Sequence, residues 1–232
     1  MLEVGLTRRW TDEVENLLDQ EFTLRRNVAD VPLDHQQLRI LMGQVDVLGV
    51  TVTDRLDASV FDVPDRRVKL LANFGVGFNH IDLEAAAAAG IAVTNTPGVL
   101  TDCTADLAMT LLLMTARRAG EGERELRAGD WAGWRPTHLL GTRVSGKTLG
   151  IIGAGRIGLA TARRARFGFG MQVLLNSRSE VSPEHLSELQ AEQLPLDELL
   201  KRSDFVSLHA PSSAQTSHWS IPGWLSRWFQ SR

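Results

Sequence analysis

The sequence predicts an α/β protein in which two domains, each built from parallel strands and helices, follow one another along the chain. Short apolar segments alternate with longer helix-favouring segments over most of its length, which is typical of repeated strand and helix units. One of these strands, near residue 150, leads through a glycine-rich turn directly into a helix. The 232 residues, 43% hydrophobic with a net charge of −3, suffice for one large core or two modest cores.

The first domain is predicted to span residues 1–98 and to end at a turn formed by residues 95–98. Strands and helices alternate within it, and Gly90 is placed to end one of the helices. The predicted strands are 4–7, 45–51, 68–72 and 91–94, and the predicted helices are 12–20, 34–42 and 83–89.

Residues 99–145 are interpreted as a connection between domains. An apolar helix is predicted at 107–116, with Arg117 and Arg118 in its last turn, where cations suit the helix dipole. We expect this helix to bridge the two domains. The segment 120–141 is polar and predicted to be irregular, and it carries Trp131 and Trp134, which favours a subunit interface over a mobile loop.

The glycine-rich turn lies between a buried strand at 149–152 and a helix at 159–166. Gly153 permits a tight turn, Gly155 lets the backbone approach a pyrophosphate, and Gly158 allows the helix to pack closely on the strand. The helix N-terminus is then free to hold phosphates. This arrangement predicts a dinucleotide-binding site, and the alternative interpretation is a glycine turn without a ligand.

The end of the next strand, predicted at 171–175, bears on which dinucleotide binds. Sites for NAD usually have an Asp or Glu about 20 residues after the glycines, whereas this chain has Ser177, Arg178 and Ser179 there. Arg178 offers a planar fork for a 2′-phosphate, and Glu180 lies further into the loop. The sequence therefore favours NADP over NAD, unless Arg178 is an ordinary solvated surface residue.

The remaining segments predict the rest of a nucleotide-binding domain that begins at residue 146. A polar helical stretch at 183–193, a helix at 195–202 and a strand at 205–208 follow in order. Since ligands bind at the carboxyl ends of parallel strands, His209 and Pro211 are candidate walls of an adenosine pocket. For His209, a loop histidine satisfied by local hydrogen bonds is a comparable alternative.

Composition also sets limits on function. The charge balance does not suggest nucleic acid as a partner, and no apolar run is long enough for a membrane span. The N-terminal residues lack the pattern of a signal peptide, so we expect a cytoplasmic protein. The single cysteine, Cys103, is expected to be a free, buried thiol, and no Cys/His cluster predicts a metal site.

Several motifs occur in one order along the chain. They are Asn-Phe-Gly-Val-Gly-Phe-Asn-His-Ile-Asp at 73–82, Val-Thr-Asn-Thr-Pro-Gly at 93–98, the glycine-rich turn, Asn-Ser-Arg-Ser at 176–179 and Leu-His-Ala-Pro at 208–211. With these motifs, residues 1–218 closely resemble the D-isomer-specific 2-hydroxyacid dehydrogenases, and most of all the NADP-preferring glyoxylate and hydroxypyruvate reductases of that family.

The resemblance implies a flavodoxin-like substrate domain at 1–98 and a Rossmann domain, a doubly wound parallel sheet, from residue 146. It implies a homodimer that reduces a small 2-oxo acid clamped between the two domains. By the same resemblance, backbone N–H groups of Val76 and Gly77 bind the substrate carboxylate, and Thr104, Arg156 and Ile157 join the cofactor site. A turn that needs positive φ at Gly75 and Gly77 is the other interpretation of that loop, and the two are compatible.

The resemblance stops after His218. In the family, an Arg, a Glu and a proton-donating His follow the Leu-His-x-Pro motif, and none has a counterpart here, so no catalytic residue is assigned. We interpret 219–232, with Trp219, Trp224 and Trp228, as a foreign tail and 146–218 as the first half of an incomplete Rossmann domain. An inactive, C-terminally truncated reductase is predicted; a non-catalytic dinucleotide-binding module and a fragment without function are the alternatives. The central strand at 149–152 is expected to have an open edge.

Overall fold

The computed structural model describes residues 1–211, and the predicted tail at 219–232 lies outside the described residues. The chain forms two compact units, of which the first is Met1–Gly98 and the second begins at Val99. Each unit is a parallel α/β sheet with its own core, as predicted. No helix within residues 1–211 is long and apolar enough to cross a membrane.

The first unit contains a five-stranded parallel sheet in the order β2-β1-β3-β4-β5, which is the flavodoxin-like order. Large apolar side chains such as Leu48 and Leu71 are fully buried between this sheet and the helices on one of its faces. Its strands are β1 (Glu3–Leu6), β2 (Thr23–Arg25), β3 (Val47–Val50), β4 (Leu70–Asn73) and β5 (Ala92–Thr94), and its helices are α1 (Asp12–Glu21), α2 (His35–Gln44), α3 (Ala58–Phe61) and α4 (Leu83–Ala88).

The second unit contains a four-stranded parallel sheet in the order β8-β7-β6-β9. This order equals the 3-2-1-4 part of the doubly wound Rossmann sheet. Its helices are α5 (Thr101–Ala116), α6 (Ala119–Ala128), α7 (Arg156–Phe169), α8 (Pro183–Leu189) and α9 (Leu196–Arg202), and its strands are β6 (Thr148–Ile152), β7 (Gln172–Asn176), β8 (Glu192–Gln193) and β9 (Phe205–Leu208).

Two secondary-structure predictions in the second unit were wrong. The segment predicted to be irregular begins with helix α6, which ion pairs three or four residues apart support: Arg118 with Glu121, and Arg127 with Glu123. The predicted helical stretch 183–193 instead ends α8 at Leu189 and then forms β8, since Gln190 adopts a left-handed conformation with φ 48°.

The open edge of the second sheet is not where the sequence suggested. The central strand β6 pairs with β7 on one side and with β9 on the other, so its backbone groups are satisfied in both directions. Within residues 1–211, β9 is an outer strand of this sheet. The expectation was wrong because β9, which is present in the chain, already occupies the second side of β6.

The prediction for Cys103 was also wrong, because its thiol is exposed. Helix α5 begins six residues earlier than its apolar run and presents Ala105 and Met109 to the core. Cys103 lies in the first turn of this helix, outside that buried face. Among residues 1–211, no group of three or more His, Cys, Asp or Glu side chains is arranged to hold a metal ion.

Candidate functional site

The glycine-rich loop between β6 and α7 has room for a ligand at one glycine and almost none at the other two. Gly153 has φ 100°, and a Cβ there would lie 2.5 Å from the backbone nitrogen of Ala210. A Cβ on Gly158 would lie 2.1 Å from the carbonyl oxygen of Gly153. At Gly155, by contrast, a Cβ would meet nothing within 4 Å. The loop is therefore tightly packed at Gly153 and Gly158 and open to solvent at Gly155, next to the N-terminus of α7.

A cleft at the carboxyl ends of β6, β7 and β9 brings together most of the residues predicted to bind the cofactor. Arg156, Ile157 and Gly158 lie beside it in the first turn of α7. The predicted residues that line the cleft are Gly153, Gly155, Ser177, Arg178, Ser179, His209 and Pro211, together with Ile152, Ala154, Asn176 and Ala210. The open space above Gly155 and the helix N-terminus fit a pyrophosphate group.

Arg178 is exposed at the rim of this cleft and forms no ion pair within residues 1–211. No carboxylate belongs to the described lining of the cleft. The loop that carries Arg178 is held by Gln193, whose Nε2 donates to the Ser179 carbonyl at 3.0 Å and whose Oε1 accepts from Val181 N at 2.8 Å. The Arg178 guanidinium thus lies, without an ion-pair partner in the described residues, after the second strand of the sheet. In nucleotide-binding sheets the residues at this position contact the ribose.

His209 lies deeper in the cleft and has local partners. Its backbone N–H donates to the Ile152 carbonyl at 2.7 Å, and its Nε2 lies 2.8 Å from the Ser207 hydroxyl. Burial lowers the pKa of His209 below its usual value, which favours a neutral ring. The His209 side chain therefore lines the cleft as an uncharged ring that is hydrogen-bonded to Ser207.

The structure separates Thr104 from the other predicted cofactor residues. Thr104 lines a second groove between α5 and β9, which includes Leu107 and Leu111. His209 lines both the groove and the glycine-loop cleft. The two depressions are therefore neighbours at the carboxyl end of β9.

In the first unit, two asparagine side chains hold the carbonyl oxygens of the loop at 75–77. The Asn73 side-chain amide donates to the Gly75 and Gly77 carbonyls at 3.1 and 2.9 Å, and Asn95 Nδ2 donates to the Val76 carbonyl at 3.0 Å. These peptide bonds are trans, so each N–H points opposite to its carbonyl. Within residues 1–211, the N–H groups of Val76 and Gly77 have no protein acceptor.

Consecutive N–H groups without an acceptor in the described part of the chain are available to bind an anion. The positive-φ alternative applies at most to Gly75, with φ 156°, because Gly77 is not among the positive-φ residues. Asn73 and Asn95 were missed as contributors by sequence reasoning. Their signal was their place at the carboxyl ends of neighbouring strands, β4 and β5.

His80 and Asp82 lie two residues apart at the end of the motif 73–82, and each has a different hydrogen-bond partner. The Asp82 carboxylate accepts from Ala85 N at 2.9 Å and caps helix α4. His80 Nε2 instead lies 3.1 Å from Asn73 Oδ1. Burial lowers the pKa of His80, and the nearby Asp54 carboxylate opposes this effect in part.

The chain is similar in sequence to a family of dehydrogenases and to several of its curated members. Residues 109–221 match the model of the D-isomer specific 2-hydroxyacid dehydrogenase NAD binding domain. The chain is 44% identical over 220 residues to the glyoxylate reductase of Thermococcus onnurineus, and 41% identical over 220 residues to that of Pyrococcus furiosus. Each alignment covers 93% of this chain and 65% of the relative, so the chain spans about two thirds of the length of these curated relatives.

Solved structures agree with these sequence relatives. A protein from Polaromonas sp. JS6 66, described as an NAD-binding D-isomer specific 2-hydroxyacid dehydrogenase, matches with a TM-score of 0.87 and 38% identity, over 94% of this chain and 68% of that one. A glyoxylate reductase from Paecilomyes thermophila matches with a TM-score of 0.74 and 31% identity, over 94% and 67% of the two chains.

Proposed function

Because this chain belongs to the D-isomer-specific 2-hydroxyacid dehydrogenase family, we propose that it binds NADP and takes part in reducing glyoxylate, hydroxypyruvate or a related 2-oxo acid to the D-2-hydroxy acid. The observation that carries the choice of cofactor is the uncommitted Arg178 guanidinium in a cleft without a lining carboxylate. A carboxylate there would accept from a ribose 2′-hydroxyl, whereas a guanidinium pairs with a 2′-phosphate.

The residues that would hold the cofactor follow from the cleft. Gly153, Gly155 and the first turn of α7, with Arg156, Ile157 and Gly158, would hold the pyrophosphate through backbone N–H groups. His209 and Pro211 would form a wall of the adenosine pocket, and Ser177, Arg178 and Ser179 would surround the 2′-phosphate. Thr104 would contact the cofactor from the adjacent groove. When bound, NADPH supplies the hydride that reduces the carbonyl carbon.

The substrate carboxylate would bind to the N–H groups of Val76 and Gly77. These donors have no acceptor within residues 1–211, and Asn73 and Asn95 hold the carbonyl oxygens of the same loop. A loop fixed in this way binds an anion without first losing conformational freedom. The small 2-oxo acids of this family all carry such a carboxylate.

Calorimetry with the 232-residue polypeptide tests the cofactor assignment. We expect NADPH to bind more tightly than NADH, and Arg178→Ala to remove most of that preference. A charge-assisted bidentate contact contributes about 1.5 to 3 kcal/mol, so the change should be on the order of tenfold or more. Arg127→Ala is the matched control, since it removes an exposed arginine from α6. Equal affinity of the unmodified polypeptide for the two nucleotides would refute NADP preference.

We further propose that a polypeptide of these 232 residues does not itself turn over 2-oxo acids. The Arg, Glu and His that serve the family's chemistry have no counterpart in its motifs, and loss of a general acid alone costs about 10² to 10⁴ in rate. His80 and His209 each have a local hydrogen-bond partner and a lowered pKa.

The test is to follow NADPH absorbance with glyoxylate and with hydroxypyruvate. Binding without turnover is the expected result. Saturable oxidation that disappears in Gly155→Trp, a variant that fills the open space above the loop, would contradict the proposal.

A homodimer is the third part of the proposal. Trp131 and Trp134 follow α6 with 53% and 83% of their surface exposed in the single chain. Large exposed aromatic side chains next to each other are typical of interfaces between subunits. The segment 120–141 would therefore contact a second copy of the chain.

A further inference from the structure

We propose that His80 is a positioning residue that fixes the anion-binding loop at 75–77 through Asn73, and that it does so as a hydrogen-bond donor. This inference rests on the proposed binding of a carboxylate to Val76 and Gly77. It concerns a side chain that does not itself need to touch substrate. The side chain that links His80 to the loop is the buried amide of Asn73.

Asn73 is 3% exposed and every polar atom of its side chain is committed. Its Nδ2 group has two protons, and these go to the Gly75 and Gly77 carbonyls at 3.1 and 2.9 Å. Its Oδ1 is therefore directed away from the loop, and His80 Nε2 lies 3.1 Å from that oxygen. A flipped amide would place Oδ1 against two carbonyl oxygens and is excluded by their repulsion.

The contact requires a proton on His80 Nε2, because Asn73 Oδ1 can only accept. Burial lowers the pKa of His80 and so favours a neutral ring with one proton. That proton must then reside on Nε2, where it donates to Asn73. The Nε2–H tautomer of His80 thus stabilises the one orientation of the Asn73 amide in which Nδ2 donates to the two loop carbonyls.

The position of the His80 ring is set by the backbone on either side of it. The His80 carbonyl accepts from Leu56 N at 2.8 Å, and the next residue, Ile81, forms a bridge with Leu56. Ile81 is 5% exposed and packs in the core. The ring is therefore presented to Asn73 by a rigid part of the unit, as a positioning residue must be.

The test compares three substitutions of His80 in the 232-residue polypeptide. His80→Leu removes the donor, His80→Gln places an amide N–H close to the position of Nε2, and His80→Asn is too short to reach. Two readouts are followed by NMR: exchange of the Asn73 side-chain protons, and binding of oxamate, a stable analogue of a 2-oxo acid, through the Val76 and Gly77 amide signals. His35→Leu, an exposed histidine on α2, is the control.

We expect His80→Leu and His80→Asn to speed exchange of the Asn73 protons and to weaken oxamate binding about fivefold, the effect of one lost hydrogen bond. His80→Gln should restore both readouts, and His35→Leu should change neither. Unchanged Asn73 exchange in His80→Leu, or His80→Asn behaving like His80→Gln, would overturn the proposal. If oxamate does not bind to the unmodified polypeptide, the substrate-loop assignment fails, and the Asn73 signals still decide the role of His80.

Discussion

At the residue scale, Gly153 and Gly155 differ in whether their surroundings have room for a Cβ atom. Gly153 combines φ 100° with a Cβ position 2.5 Å from the Ala210 backbone nitrogen, so it serves the fold of the loop. Gly155 has no neighbour within 4 Å of that position, so it serves the space above the loop. Substitution should therefore separate stability from binding.

We expect Gly153→Ala to destabilise the second unit by about 1 to 3 kcal/mol, through backbone strain and a clash with a neighbouring strand end. Gly155→Ala should leave the thermal unfolding temperature nearly unchanged and weaken NADPH binding, because its methyl group occupies the path of the pyrophosphate. Thermal unfolding and calorimetry on both variants measure the two effects. Equal unfolding temperatures for the two variants would contradict this division.

His209 gives the second unit a dependence on pH. Burial lowers its folded-state pKa below the usual value of about 6.5, so the unfolded chain binds more protons in the interval between the two. Stability is then retained above about pH 6.5 and lost as the pH falls toward the folded-state pKa. We expect His209→Gln to flatten this loss.

Urea unfolding at pH 7.5 and pH 5.5, followed by resolved NMR signals of β6, measures the slope. The Asp and Glu residues whose pKa is lowered by ion pairs also lose stabilisation in acid, and the comparison with His209→Gln isolates the histidine. A slope unchanged by His209→Gln would mean that burial does not control this group.

At the level of elements, β6, the glycine loop and α7 could be predicted because they are consecutive in the chain. Their apolar residues and glycines specify the strand, the turn and the helix without reference to distant residues. Strand β9 was predicted with the observed bounds for the same reason. Strand β8 and helix α6 were missed. The two residues of β8 are polar and pair with β7, and α6 is stabilised by ion pairs on an exposed surface.

The candidate site shows the same division between local and distant information. Arg178 and the glycines could be found from their spacing along the chain. Asn95 acts on the loop at 75–77 because β4 and β5 are neighbours in the sheet, whereas Asn73 lies directly before the loop in the chain. Their donation to loop carbonyls depends on side-chain directions that no sequence pattern specifies.

Gly158 and Gly168 lie on the same helix, α7, but differ in how closely their surroundings are packed. A Cβ on Gly158 would lie 2.1 Å from the Gly153 carbonyl oxygen, whereas a Cβ on Gly168 would meet nothing within 4 Å. We expect Gly158→Ala to lower the stability of the second unit by several kcal/mol. Gly168→Ala should raise it by up to about 1 kcal/mol, since alanine favours the helix. Thermal unfolding that ranks the two variants in the reverse order would contradict this account of the packing.

At the level of the whole molecule, the exposed Trp131 and Trp134 are the proposed contacts between two copies of the chain. We expect Trp131→Ser with Trp134→Ser to convert a homodimer into a monomer, because two large aromatic contacts are lost from the interface. Analytical ultracentrifugation measures the mass directly, and Trp10→Phe in the first unit serves as a control. A dimer that persists in the double variant would place the interface elsewhere.

The central claim is that the cleft of the second unit holds the adenosine half of NADP by its 2′-phosphate. The most direct test is calorimetric titration of the 232-residue polypeptide with 2′,5′-ADP and with 5′-AMP, which differ in that phosphate and need no nicotinamide pocket. We predict that 2′,5′-ADP binds more tightly on the order of tenfold or more, as a charge-assisted contact to Arg178 requires. Equal affinity for the two nucleotides, or tighter binding of 5′-AMP, would contradict the claim.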